Sequence, residues 1–252
     1  MNDRPICFFD SGIGGSTILK EVIKKLPNEN YVYYADSKNN PYGNKSKEEL
    51  FEIVSYAVDN LLKYNPKLIV CACNTATEVV LNDIRKKYKN ITFVGTEPAV
   101  KVVYDHYKDK KAIVLTTKGT GESKRFKELF KNYKTKSCVL IEAPLLASLI
   151  ENNIDAYSYL NDLLKDYKGY EVVVLGCTHF PLAKDSITKV LGNVTFIDGS
   201  VGIANRIYDL IKDDLNIDGG NINIISTKGN VADTILSIIT TTPKKTWFSL
   251  SL

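Results

Sequence analysis

The chain has 252 residues, 44% of them apolar and 25% charged, with a formal net charge of +4; this is enough for one large domain or two ordinary ones around a substantial core, and it excludes a disordered chain. No run of about 18 apolar residues occurs and Met1 to Arg4 lead straight into a short strand, so neither a membrane span nor a secretory signal is expected and the location reads as cytoplasmic. The positive charge lies on lysines scattered over expected helix faces, with only four arginines, which is the pattern of a solvated surface and argues against nucleic acid.

In chain order, Pro5 to Phe9 reads as a strand that runs into Asp10, Ser11, Gly12, Ile13, Gly14 and Gly15. Ile18, Leu19, Val22, Ile23 and Leu26 then recur at helical spacing. A dinucleotide fingerprint starting at Gly12 would need glycine where Thr17 stands, and an acid at the strand tip suits a phosphate poorly. Tyr31 to Ala35 is a second strand, followed by a turn from Asp36 to Gly43. Ser46 and Glu49 form a capping box for a helix whose Leu50, Ile53, Val54, Ala57 and Leu61 share one face and which ends before Pro66.

Leu68 to Ala72 is a short apolar run that stops at Cys73, Asn74, Thr75, Ala76 and Thr77, followed by a helix to about Lys87 and a strand from Ile91 to Gly95. After Thr96, Glu97 and Pro98 the pattern restarts. Ala112 to Leu115 is a strand running into Thr116, Thr117, Lys118, Gly119 and Thr120, then a helix with Phe126, Leu129 and Phe130. Val139 to Glu142 is a strand, Pro144 to Ile150 a helix ending at Glu151, and Ala156 to Tyr167 a further helix. Val172 to Leu175 repeats the design of the Leu68 run and ends at Gly176, Cys177, Thr178 and His179; a helix after Pro181 and a strand from Val194 to Ile197 follow. The remainder holds a helix with Ile203, Ile207, Leu210 and Ile211, a strand from Ile222 to Ser226, a helix from Val231 to Ile239 and a tail with Trp247, all expected to pack back on one half.

Strands alternating with helices imply parallel sheets, so the expected class is α/β. Asp10 precedes Cys73 by about the interval that separates Thr117 from Cys177, and Thr92-Phe93-Val94 mirrors Thr195-Phe196-Ile197, which suggests an internal duplication. A pseudo-two-fold axis would set Cys73 opposite Cys177 at the carboxyl ends of two buried strands, the edge where ligands bind in open α/β sheets.

Five cysteines without an export signal read as free thiols, and the lack of a C-x-x-C pair with only His106 and His179 argues against structural zinc. Cys7, Cys71 and Cys138 read as small core residues and His106 as a surface residue. Cys73 and Cys177 differ, because polar helix-start residues follow each and direct its side chain to a pocket. Exchange of an amino-acid α-proton needs a base on one face and an acid on the other, and two thiols related by a two-fold axis meet that need. Asn74, Thr75 and Thr178, with the free N–H groups of the helix starts, suit a carboxylate, while Asp10 and His179 stand where a proton relay to each thiol is needed.

The motifs Asp10-Ser11-Gly12-Ile13-Gly14-Gly15, Pro41-Tyr42-Gly43, Cys73-Asn74-Thr75-Ala76-Thr77, Thr117-Lys118-Gly119-Thr120 and Gly176-Cys177-Thr178-His179 resemble, in order and spacing, those of the glutamate racemases of the aspartate/glutamate racemase superfamily. The resemblance runs from the first strand to about residue 200 and implies two pseudo-symmetric flavodoxin-like domains, residues 1–97 with 207–252 and residues 98–206, facing a cleft. It implies that Cys73 deprotonates D-glutamate while Cys177 reprotonates, with roles exchanged for L-glutamate, and that Asp10 and His179 assist. Glu151 matches a further acid of the family. Ser11, Tyr42, Gly43, Asn74, Thr75, Thr117, Thr120, Thr178 and His179, with Asp10, carry over as substrate contacts. No cofactor and no metal are implied, the product D-glutamate serves peptidoglycan, and a homodimer is compatible with the sequence without being set by it. Ala143 departs from the family, which often has cysteine before the proline, and the C-terminal part matches faintly. The rivals are an aspartate racemase, whose second motif typically carries glutamate where His179 stands, and a two-domain amino-acid binding protein that would need neither thiol.

Overall fold

A computed structural model describes residues 3–229, 231–239 and 245–248 of the chain. The rest of the tail around Trp247, residues 240–244 and 249–252, lies outside the described residues. Among those described, the strands in chain order are β1 (Ile6–Asp10), β2 (Tyr31–Ala35), β3 (Leu68–Cys71), β4 (Phe93–Gly95), β5 (Ala112–Thr116), β6 (Cys138–Glu142), β7 (Val172–Gly176), β8 (Thr195–Ile197), β9 (Asn221–Ser226) and β10 (Lys245–Phe248).

They form two wholly parallel sheets, one of six strands ordered β10-β9-β2-β1-β3-β4 and one of four ordered β6-β5-β7-β8. Within the first sheet, β2-β1-β3-β4 has the same order as β6-β5-β7-β8, the doubly wound arrangement of flavodoxin-like sheets. The duplication suggested by the motif spacing therefore exists at the level of topology, and β9 and β10 extend the first copy at its edge.

Both sheets are covered on both faces, which explains why their strands are nearly continuous apolar runs. In the first sheet Ile6, Phe8, Tyr31, Tyr33, Leu68 and Val70 point to one core, and the alternating Cys7, Phe9, Val32, Tyr34, Ile69 and Cys71 point to the other. The helix Lys47–Leu62 covers the second of these cores through Leu50, Val54, Ala57 and Leu61, and its predicted capping box forms: Glu49 N–H donates to Ser46 Oγ while Ser46 N–H donates to the Glu49 carboxylate, both at 3.1 Å. In the second sheet Ile113, Leu115, Val173 and Leu175 face one core, and Ala112, Val114, Val172 and Val174 the other.

Two differences from the sequence reading matter for the site. The helix expected from Thr75 to Lys87 is two helices, Asn74–Val79 and Leu81–Lys87, with Val80 at φ −127° between them; two adjacent β-branched residues, Val79 and Val80, weaken the helix there. The helix Ser200–Ile211 packs Ile203, Ala204 and Ile207 with Ile18, Leu19 and Val22 of helix Ser16–Lys25. The chain thus re-enters the first core upstream of the 206/207 boundary expected from sequence, because the apolar face of that helix begins at Ile203. No helix among the described residues is long and apolar enough to cross a membrane.

Candidate active site

The carboxyl ends of the central strands of the two sheets face each other. β1 ends at Asp10 and β3 leads through Ala72 to Cys73; in the other unit β5 leads to Thr117 and β7 to Cys177. Cys73 and Cys177 are 5% and 7% exposed, so both thiols are enclosed by the closure of one unit on the other. They are close enough that charge on Cys177 opposes ionisation of Cys73.

Direct hydrogen bonds bridge the cleft. Thr178 Oγ donates to Asp10 Oδ1 at 3.1 Å, and Thr17 Oγ donates to the carbonyl of Thr178 at 3.2 Å. Asp10 Oδ2 accepts from Gly12 N–H at 3.1 Å. Glu151, at the end of helix Leu146–Glu151, accepts from Ile13 N–H at 2.9 Å and from the Ser37 hydroxyl. The glycine turn after β1 serves this approach: a Cβ at Gly12 would fall on the Glu151 carboxylate, and one at Gly14 would fall on the His179 ring. The turn therefore seats a histidine and a carboxylate of the other unit, where a nucleotide fingerprint would seat a phosphate.

The electrostatics differ on the two sides. Burial pushes the Cys73 thiol well above its ordinary value, and the neighbouring Asp10 and Cys71 add to the effect, while a hydrogen bond from Ala76 N–H works against it. Burial also raises the Asp10 carboxyl, partly offset by the charge of His179. His179 is fully buried; burial disfavours its charge, but hydrogen bonds to Cys177 and Glu151 outweigh this and hold it well above the ordinary histidine range. Its Nδ1 lies 4.0 Å from Cys177 Sγ and its Nε2 lies 2.7 Å from Glu151 Oε2. One thiol thus has a buried acid for a neighbour and the other an imidazolium, the inventory of a two-sided proton transfer.

A family model described as Asp/Glu/hydantoin racemase matches residues 18–206. The chain is 40% identical over 240 residues to a glutamate racemase of Clostridium botulinum (strain Alaska E43 / Type E3), covering 90% of this chain and 93% of that protein. It is 41% identical over 236 residues to a glutamate racemase of Clostridium novyi (strain NT), covering 90% and 89%. The chain belongs to the Asp/Glu/hydantoin racemase family. Among solved structures, Escherichia coli glutamate racemase, crystallised with L-glutamate and the activator UDP-MurNAc-ala, superposes on this racemase-family chain with a TM-score of 0.83 at 26% identity over 99% of both chains. The Thermus thermophilus glutamate racemase, in complex with beta-chloro-D-alanine, gives a TM-score of 0.78 at 28% identity over 99% of this chain and 98% of that one.

The remaining residues expected from sequence gather around the same racemase cleft. Thr75 Oγ lies 2.9 Å from Thr117 Oγ and 3.4 Å from Thr120 Oγ, so three hydroxyls from the two units meet. Thr117 also caps its helix, accepting from Thr120 N–H. Gly43 backs onto Thr117 and Gly119, and Asn74 donates to the Thr96 carbonyl at 3.3 Å. Ser11 Oγ is 3.9 Å from Cys73 Sγ. Tyr42 is buried with its hydroxyl donating to Asp36 at 2.7 Å. A cavity of about 10 Å³ beside Asn74, Cys177 and Thr178 leaves room for about one water molecule.

Sequence reasoning missed Asp36, Ser37, Asn40 and Thr17. Asp36 accepts from Tyr42, from Asn39 at 3.0 Å and from Thr227 at 3.0 Å, and so ties the Tyr42 turn to the segment after β9. Asn40 donates to Ser11 Oγ at 3.4 Å. The available signal was an acid just beyond the tip of β2, the counterpart of Asp10 at the tip of β1.

Proposed function

We propose that this protein interconverts L-glutamate and D-glutamate without a cofactor, using Cys73 and Cys177 as paired base and acid, and that it supplies D-glutamate for peptidoglycan synthesis in the cytoplasm. The observation that carries the reading is the hydrogen bond between Asp10 and Thr178, which joins the tip of β1, the strand beside the one leading to Cys73, to the residue after Cys177 across one closed cleft. The 40% identity to a glutamate racemase supports the choice of substrate.

With D-glutamate bound, the Cys73 thiolate takes the α-proton and becomes a thiol, and the electron pair left behind is delocalised into the α-carboxyl group. The Cys177 thiol then delivers its proton to the opposite face and becomes a thiolate. L-glutamate follows the same path with the roles exchanged. Asp10, its carboxyl raised by burial, is suited to take the Cys73 proton before turnover. The His179 imidazolium, held by Glu151, is suited to stabilise the thiolate of Cys177.

Ser11, Tyr42, Gly43, Asn74, Thr75, Thr117, Thr120, Thr178 and His179 surround the volume that substrate would occupy. In the closed cleft the hydroxyls of Thr75, Thr117 and Thr120 satisfy one another, and a substrate carboxylate would take over those donors. Incubation with L-glutamate in D₂O tests the reading. Loss of optical rotation with deuterium entering the α-carbon is the expected result; retention of both the rotation and the α-proton signal overturns it.

A further inference from the structure

Five positions after Cys73, on the same short helix Asn74–Val79, Glu78 is placed unusually. Its side chain is 0% exposed, and neither carboxylate oxygen has a hydrogen-bond partner among the described residues. The charge facing it comes from the other unit: Arg125, in the first turn of helix Lys124–Tyr133, sets Nε 3.7 Å from Glu78 Oε2. Arg125 also pairs with Glu97, beside the crossing between the units, and donates to Asn82 Oδ1 at 3.4 Å. A single arginine thus holds the Cys73 segment, the helix after it and the crossing together.

We propose that Glu78 and Arg125 form a latch across the cleft that secures the Cys73 segment in the closed form, which makes Glu78 a positioning residue for that thiol. A carboxylate removed from water and left without a hydrogen bond is costly unless a counter-charge compensates it. Burial pushes the Glu78 carboxyl up and the charge of Arg125 works against it, the balance leaving it raised to about 7. The ionised, closed arrangement therefore depends on the arginine, and parting of the units hydrates both groups. The pair is asymmetric: Arg125 without Glu78 still has Glu97, whereas Glu78 without Arg125 is bare.

That asymmetry supplies the test, whose kinetic arm rests on the racemase reading and whose labelling arm does not. Variants E78Q, R125Q, R125K and E78Q/R125Q would be alkylated with iodoacetamide and each cysteine followed by peptide mass spectrometry. Cys138, outside the cleft, is the internal control. R125Q should raise Cys73 labelling by about tenfold and E78Q by about threefold, while the double variant returns to about the E78Q level and R125K stays near wild type. The KM for glutamate should follow the same order with kcat within about twofold. Loss of a positive charge by itself disfavours the thiolate and slows alkylation, so faster labelling in R125Q reports opening of the cleft. Wild-type labelling in R125Q, or a double variant whose effect is the product of the single ones, overturns the latch even if racemisation is intact. Absence of glutamate racemisation in the wild type overturns the functional reading and leaves the labelling result to decide the latch.

Discussion

His179 Nε2 and Glu151 Oε2 lie 2.7 Å apart, both buried, with the other face of the imidazole turned to Cys177. The histidine follows a strand of the second sheet and the glutamate ends a helix of the same unit, yet the carboxylate also accepts from Ile13 of the first unit. One acid therefore orients the histidine beside a thiol and bonds to the facing unit as well.

The pair predicts a stability profile. His179 has its pKa raised in the folded state, so its contribution is complete below its unfolded value, near 6.5, and is lost as pH rises from there through the folded value. Glu151 is lowered: burial opposes its charge, but hydrogen bonds from His179, Ser37 and Ile13 prevail, so its contribution is complete above about 4.5 and is lost as pH falls through the folded value. The stability difference between wild type and Glu151→Gln should be largest between these limits and shrink on both sides, as urea unfolding across the pH range would measure. A constant difference would refute the ion pair.

Replacing Cys73 or Cys177 with Ala should each reduce racemisation by at least about a hundredfold, the scale of a lost acid or base at a carbon centre. Cys71→Ala should leave turnover intact, since burial holds that thiol up to about 12 and its sulfur is engaged by Thr77. Polarimetry of the three purified variants separates the cases, and full activity in either of the first two would sink the two-thiol scheme.

Gly14→Ala should keep the first unit folded, because Gly14 is not among the residues with positive φ, yet hinder closure by setting a methyl group against His179. A loss of activity of tenfold or more with a stability cost of about 1–3 kcal/mol is expected from such overpacking. Thermal unfolding paired with initial rates checks it; unimpaired turnover would mean the ring gives way at little cost.

Asp36→Ala leaves the Tyr42 hydroxyl buried without its acceptor and frees Asn39 and Thr227. A buried donor left unpaired costs about 1–3 kcal/mol. Because the lost bonds shape the turn holding Tyr42 and Gly43, KM for glutamate should rise by about tenfold while kcat falls less. A drop confined to kcat would place Asp36 closer to the proton transfer than the geometry does.

Much of the architecture was legible because parallel strands buried on both faces must be apolar at every position, as in Leu68 to Ala72 and Val172 to Leu175. The capping box at Ser46 and Glu49 was legible for a local reason, since all its partners lie within one turn. The break at Val80 was not, because propensity there is nearly balanced and packing around a short helix decides. Nor was the early return of helix Ser200–Ile211 to the first core, since a helix pattern tells which face is buried but not against what.

The sequence by itself determined that two thiols end two buried strands of a duplicated α/β chain, because periodicity and residue type are properties of each segment alone. Tertiary structure alone decided what each thiol meets: Asp10 bonded to Thr178, His179 set between Cys177 and Glu151, and Glu78 buried under Arg125. The Asp10–Thr178 and Glu78–Arg125 pairings join residues far apart in the chain and on different units, and the energies of all these contacts depend on distance and exclusion from water, which only the folded, closed arrangement sets.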